Sequence, residues 1–268
     1  GRQAREGQRP RHRPPQRSLA RPGRDSLIAF ALVLAGCFAG FLLSSTTGVG
    51  GALVMLPLLA QVVPASAAIA LATPVMLVNN LGKLVVLRGA LDRAFRGRPM
   101  IGAIPGAAAG ALLVGVVPEA ALRRAIGAFM IGYVGWEIVR RRDADPAAPA
   151  MTGRLGAAGW GALTGFASGL VGAGGPTNAA AMNQSGLTRQ TFVATGAAIS
   201  VAMQLVKLPV YAASGVLRAR DWPLAALLCA TALAAAFAGR ALLARMSDRV
   251  FRRILLAALA LLGATMLP

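Results

Sequence analysis

Acidic residues are scarce in this chain: nine in 268 positions, none at the centre of an apolar run. That leaves no carboxylate relay for protons and no acidic cage for a metal cation inside a membrane, which argues against a cation pump. Histidine occurs once, at His12, so no serine has a His and Asp beside it for hydrolysis. Cysteine occurs twice, at Cys37 and Cys229, both in apolar runs and without metal-ligand spacing. These absences give no catalytic residue, no metal site and no cofactor, and no Walker motif is present for ATP. Aromatics make up only 5% of the chain, so an interfacial Trp and Tyr belt would be thin.

Charge is low as a whole. Only 14% of residues are charged and 56% are hydrophobic, with mean hydropathy +0.62. Soluble domains carry about 25% charged residues. The deficit indicates an all-α polytopic membrane protein. Its apolar content is Ala, Leu, Val and Gly, the composition of closely packed membrane helices.

The net charge of +19 is concentrated outside the apolar runs. Eight arginines fall in the first 24 residues among Pro10, Pro14, Pro15 and Pro22. A tail over 1–25 of this composition cannot bury a core. It reads as a cytoplasmic anchor facing anionic lipid rather than a nucleic-acid surface, which needs basic residues on a folded face.

Apolar runs span Leu27–Thr47, Val49–Val63, Ala65–Leu87, Met100–Val117 and Ala125–Val139. A polar stretch over 140–154, with Asp143, Asp145, Pro146 and Pro149, separates them from a second set. That set is Leu155–Val171, Thr177–Met182, Phe192–Ala213, Trp222–Ala238 and Ile254–Leu267. The first run, at about 22 residues, exceeds a signal-peptide core and reads as the first span. The reading is a first transmembrane repeat over 26–139, a linker, and a second repeat over 155–268.

Two homologous halves of four or five helical segments each follow from alignment. Gly48, Gly50 and Gly51 match Gly172, Gly174 and Gly175; Thr73 matches Thr195. The only two lysines, Lys83 and Lys207, each stand 32 residues after the last of these glycines. Gly110, Leu113, Arg123 and Arg124 match Gly239, Leu242, Arg252 and Arg253. The second run of each half is short and opens on glycine, which suggests a glycine-broken, re-entrant helix. Four crossings per half would make the repeats parallel, and five would make them inverted. Four crossings put the Arg88–Arg98 loop on the side of the tail and satisfy the charge rule more often, but both counts stay open.

Broken backbone inside a membrane is tolerated only where protein buries it or a cavity lies beside it. A helix restarting after the glycines points its first N–H groups into that space, a ready site for an anion. Glycine also permits close helix packing, the competing explanation. Thr73, Asn80 and Lys83 recur at i, i+7 and i+10, near one stripe, and Thr195, Gln204 and Lys207 are read as sharing a face. Asn79 and Ser200 lie in the same runs. These groups either bond between helices or line a pathway. Each lysine either snorkels to headgroups or attracts substrate.

The run from Gly48 to Leu59, with Pro57, resembles the first-half signature of the TauE/SafE-type sulfite exporter family. Gly165 to Gly175, then Pro176, Gly186 and Ala194-Thr195, resembles the second, as does Lys207-Leu208-Pro209-Val210-Tyr211 before Gly215. The resemblance spans 27–268. It implies a multi-pass transporter of the bacterial inner membrane that carries sulfite, a sulfonate or a related organic oxyanion. Ala52 departs from the family's usual glycine and Ala181 from its proline, and Asn178, Asn183 and Gln184 make that segment unusually polar. The resulting expectation is a secondary transporter, an exporter of a small anion. Its partners are that anion and the lipid bilayer, with no nucleic acid. Candidate substrate-binding residues are Gly48, Gly50, Gly51, Thr73, Asn80, Lys83, Gly172, Gly174, Gly175, Asn178, Thr195, Gln204 and Lys207. The alternatives are a membrane scaffold without a pathway and a passive anion channel.

Overall fold

A computed structural model describes residues 24–47, 51–91, 93–142, 154–175, 177, 188–242, 256–257 and 259–267. All regular structure among these residues is helical. Eight helices follow in order: α1 (Arg24–Thr47), α2 (Gly51–Val62), α3 (Ala65–Val86), α4 (Arg93–Val114), α5 (Glu119–Arg142), α6 (Arg154–Val171), α7 (Arg189–Ala213) and α8 (Trp222–Leu242). Short 3-10 turns at Arg88–Ala90 and Ala219–Asp221 lead into α4 and α8. A last helical stretch covers 259–264.

Among the described residues, three segments are long and apolar enough to cross a membrane by length and composition: Ala65–Val86, Gln190–Ala213 and Ala219–Phe237. Shorter apolar stretches lie at Phe30–Leu42, Gly51–Val62 and Pro99–Val114. The Arg88–Arg98 segment, expected as a loop, is a loop for only part of its length. α4 begins at Arg93, so its arginines sit on a helix. Arginine has high helix propensity, and its stem can lie along an apolar surface with the charge in water. Large apolar side chains such as Leu32, Val85, Ile101, Leu112 and Phe237 stand on the outside, as lipid contact requires.

Glycine contacts fix the helix directions. Gly36 faces Leu58, Gly40 faces Val54, and Gly51 faces Phe41 and Ser44, so α1 and α2 form an antiparallel hairpin. Against α6, the order is the reverse. A Cβ on Gly102, Gly106 or Gly110 would meet the carbonyl oxygen of Ala158, Ala162 or Phe166. A Cβ on Gly161, Gly165 or Gly169 would meet that of Pro99, Ala103 or Ala107. Both series rise together, so α4 and α6 run parallel with their backbones in contact. Cα–H groups aimed at carbonyls across such a seam add weak attraction at each step.

The α2–α3, α4–α5 and α7–α8 connections meet at one end of the bundle around a common cavity. α3 leaves that end and α7 arrives at it, and the two pack together antiparallel. α4 ends there and α8 begins there. The helices that the alignment pairs, α3 with α7 and α4 with α8, therefore run in opposite directions. The packing partners also exchange in step: α4 packs on α6 and α8 on α1, while α4 packs on α7 and α8 on α3. A core of buried apolar side chains from α1, α2, α3, α5 and α8 runs through the molecule.

Candidate functional site

Both lysines are inside the protein. Lys83 is 9% exposed and Lys207 is 1% exposed. Lys83 Nζ donates to Ser44 Oγ at 2.8 Å. Lys207 Nζ donates to Ser168 Oγ and to the Ser168 carbonyl oxygen, each at 3.0 Å. The separation in sequence is 39 residues in both cases. Neither ammonium snorkels to headgroups, because a buried serine meets it first.

Each serine also abuts a glycine break. A Cβ on Gly51 would lie 3.4 Å from Ser44 Cβ. A Cβ on Gly174 would lie 2.7 Å from Ser168 Cβ. Lysine, serine and glycine thus converge twice, at Lys83–Ser44–Gly51 and at Lys207–Ser168–Gly174. Ser44 is three residues from the end of α1, and Ser168 three from the end of α6. A cation there complements the negative pole of a helix C-terminus. At Gly51 the first N–H groups of α2 add the positive pole of a second helix. The glycines are needed for space: larger residues would meet Phe41 at the first break and the Thr164 carbonyl at the second. Gly172 has φ +75°, a left-handed conformation that favours glycine, and it touches Leu56 of α2. The α6 break therefore sits against the glycine-led helix of the other half. Tyr211, one turn past Lys207, donates its hydroxyl to the Gly169 carbonyl and ties α7 to α6.

The remaining sequence candidates divide. Thr73, Asn79 and Gln204 are buried, and Thr73 Oγ1, both polar atoms of the Asn79 amide and Gln204 Oε1 have no protein partner among the described residues. Thr195 is also buried. Asn80 is spent locally, its Nδ2 donating to Met76 O at 2.9 Å. Thr195 and Gln204 do not share a face. Nine residues at about 100° each leave them half a turn apart, and both are buried because α7 packs against α3, α4 and α6. Thr73 lies eight residues into α3 and Gln204 nine before the end of α7, so both are about 12–13 Å from the cavity end. Asn79 and Thr195 lie about 10 Å from the opposite end. Each depth holds polar groups from α3 and α7. Gly48, Gly50, Asn178 and most of the Thr177–Met182 run lie outside the described residues. Gly175 is half-buried at the α6 break.

Ser44 and Ser168 escaped sequence reasoning. The signal was present: each stands four residues before the first glycine of its motif. Serine is too common in membrane helices for that spacing alone to single it out. Among the described residues no group of three or more His, Cys, Asp and Glu side chains could hold a metal, and both cysteines are free thiols.

A chain with buried cations, broken helices and unpartnered polar groups in an apolar body can hold an anion away from water. Comparison with curated proteins and with solved structures returns no match. A family model, that of sulfite exporter TauE/SafE, matches residues 32–266. That span covers far more than half of the sequence, and the chain belongs to the TauE/SafE sulfite exporter family.

Proposed function

We propose that this protein is a secondary transporter that exports a small oxyanion, such as sulfite or a sulfonate, across the bacterial inner membrane. The observation that carries the reading is the doubled constellation of Lys83 with Ser44 and Gly51, and of Lys207 with Ser168 and Gly174. Two buried lysine amino groups that bond to serine, with no carboxylate partner among the described residues, favour an anion beside them. Thr73, Asn79 and Gln204 supply neutral hydrogen-bonding atoms between the two constellations. Their unmet demand costs about 1–3 kcal/mol each in an apolar interior, so a polar ligand is stabilised there.

The two halves are inverted repeats in this reading, supported by the opposed directions of α3 and α7 and by the exchanged packing partners. Inversion places one lysine constellation toward each membrane face. Alternating access then follows from rocking one half against the other around shared polar groups. In this reading the arginine-rich tail is the cytoplasmic anchor and the cavity end, where α1 starts, faces the cytoplasm, which leaves the Arg88–Arg98 segment on the other side against the charge rule. A reporter enzyme active only outside the cytoplasm, fused before Arg24, should stay inactive.

Flux of labelled sulfite into vesicles holding the purified protein tests the function. Saturable flux is expected. Lys83→Met plus Lys207→Met should abolish it while the protein keeps its melting transition. A double variant that transports at the wild-type rate would remove the lysines from the mechanism. Absence of flux for every small oxyanion would leave the scaffold reading, and flux that never saturates the channel reading.

A further inference from the structure

The cavity at the bundle end has a volume of about 520 Å³ and lies apart from both lysine constellations. Its charged lining is Glu119, Arg218, Arg220 and Asp221, two groups of each sign. The charges sum to zero, but hydrogen bonds occupy the carboxylates, so the donors left for a ligand are guanidinium N–H groups. Glu119 is committed: one carboxylate oxygen accepts the Ser66 N–H at 3.2 Å and the other accepts the Ser66 hydroxyl. Asp221 is committed as well. Its Oδ2 accepts the Arg218 backbone N–H at 2.8 Å, and its Oδ1 is 3.8 Å from Arg220 Nε.

The guanidinium of Arg218 is held but mostly unspent. Its Nε donates to the Gly215 carbonyl at 3.2 Å, one of the five N–H donors that the group carries. Gly215 has φ +70°, which lets the chain turn tightly enough to bring that carbonyl back. The turn from Gly215 to Asp221 therefore presents a fixed guanidinium fork beside the cavity while both carboxylates are capped by protein donors.

Position gives the cavity a role. Lys207 is seven residues, about 10 Å of helix rise, before Ser214 at the cavity wall. On α3, Ser66 and Thr73 are seven residues apart and share a helix face, so the cavity wall continues toward a buried unpartnered hydroxyl. The volume is many times the roughly 30 Å³ of one water, enough for an oxyanion that keeps part of its hydration shell.

We infer that this cavity is an anion-recruiting vestibule, in which Arg218 and Arg220 select small oxyanions before they reach Lys207. The inference extends the transport reading above, but its first test needs no transport. Ser214→Cys, in a Cys229→Ala background, places a thiol on the cavity wall. In detergent its modification rates are compared for a sulfonate-bearing and a trimethylammonium-bearing methanethiosulfonate reagent.

The anionic reagent should be favoured relative to a free thiol in solution, and excess inorganic sulfate should slow it. Arg218→Gln with Arg220→Gln should lower the anion-to-cation rate ratio about threefold or more, as loss of two charges within a Debye length implies. A ratio unchanged by those substitutions overturns the inference. If the double variant does not fold, Arg220→Gln alone carries the test, since its side chain is 75% exposed. In vesicles the arginine variants should raise KM at low ionic strength with kcat unchanged, and Arg218→Lys should restore part of the loss. A fall in kcat alone would mark a structural role and refute the vestibule. A charge preference that persists in a protein without flux would support the vestibule and sink the transport reading instead.

Discussion

Replacing Gly106 by alanine should loosen the seam between α4 and α6. The added Cβ would stand 2.3 Å from the Ala162 carbonyl oxygen and 3.0 Å from the Ala162 Cα. Those atoms are backbone, so no side chain can swing aside. An ordinary contact is at least 3.4 Å, and the helices must part by about 1 Å. Overpacking of this kind costs about 1–3 kcal/mol. Alanine's higher helix propensity returns about 1 kcal/mol, leaving a net loss of up to about 2 kcal/mol. For a chain of this size that lowers the melting temperature by up to about 8 °C. The assay is thermal unfolding in detergent, followed by exposure of the buried Cys37 thiol to a fluorogenic reagent. Gly132→Ala is the internal control, because nothing lies within 4 Å of its Cβ position, and it should leave the melting temperature level or slightly raised. Equal melting temperatures for the two variants would refute the parallel backbone-contact geometry.

Ser44→Ala should harm the protein more than Ser168→Ala, because Lys207 keeps the Ser168 carbonyl as acceptor whereas Lys83 loses the Ser44 hydroxyl that accepts from it. A hydrogen bond to a charged group contributes about 1.5–3 kcal/mol, so unfolding measured with each variant should show Ser44→Ala melting lower. Gly172→Ala should both destabilise and slow sulfite flux, since it adds left-handed strain and a clash 2.9 Å from Leu56 Cδ1. Gly215→Ala meets open space and should show the strain alone, about 1–2 kcal/mol, in the same melting assay. Removing the Thr73 hydroxyl with Thr73→Val should leave stability level or higher, because that oxygen has no partner among the described residues, while KM for the transported anion rises.

The apolar runs, the glycine breaks and the lysine pair were legible because each is a local property. A 3.6-residue helix needs only enough consecutive apolar residues, and two lysines in such runs announce themselves by their cost in a membrane. The start of α4 at Arg93 was not legible, because arginine in a membrane protein serves loops and snorkelling helix ends equally well. The shared face assigned to Thr195 and Gln204 failed on phase: α7 is enclosed on several sides, so burial there does not follow one stripe.

The sequence by itself determined that this is a helical membrane protein of the TauE/SafE family, with glycine and lysine spaced alike in two halves. Only the tertiary structure decided which groups meet. It turned α3 and α7 against each other, set a serine under each ammonium, and brought three connections together around one cavity. Helix direction and side-chain partnership depend on contacts between residues far apart in the chain, and spacing along one chain carries no sign for either.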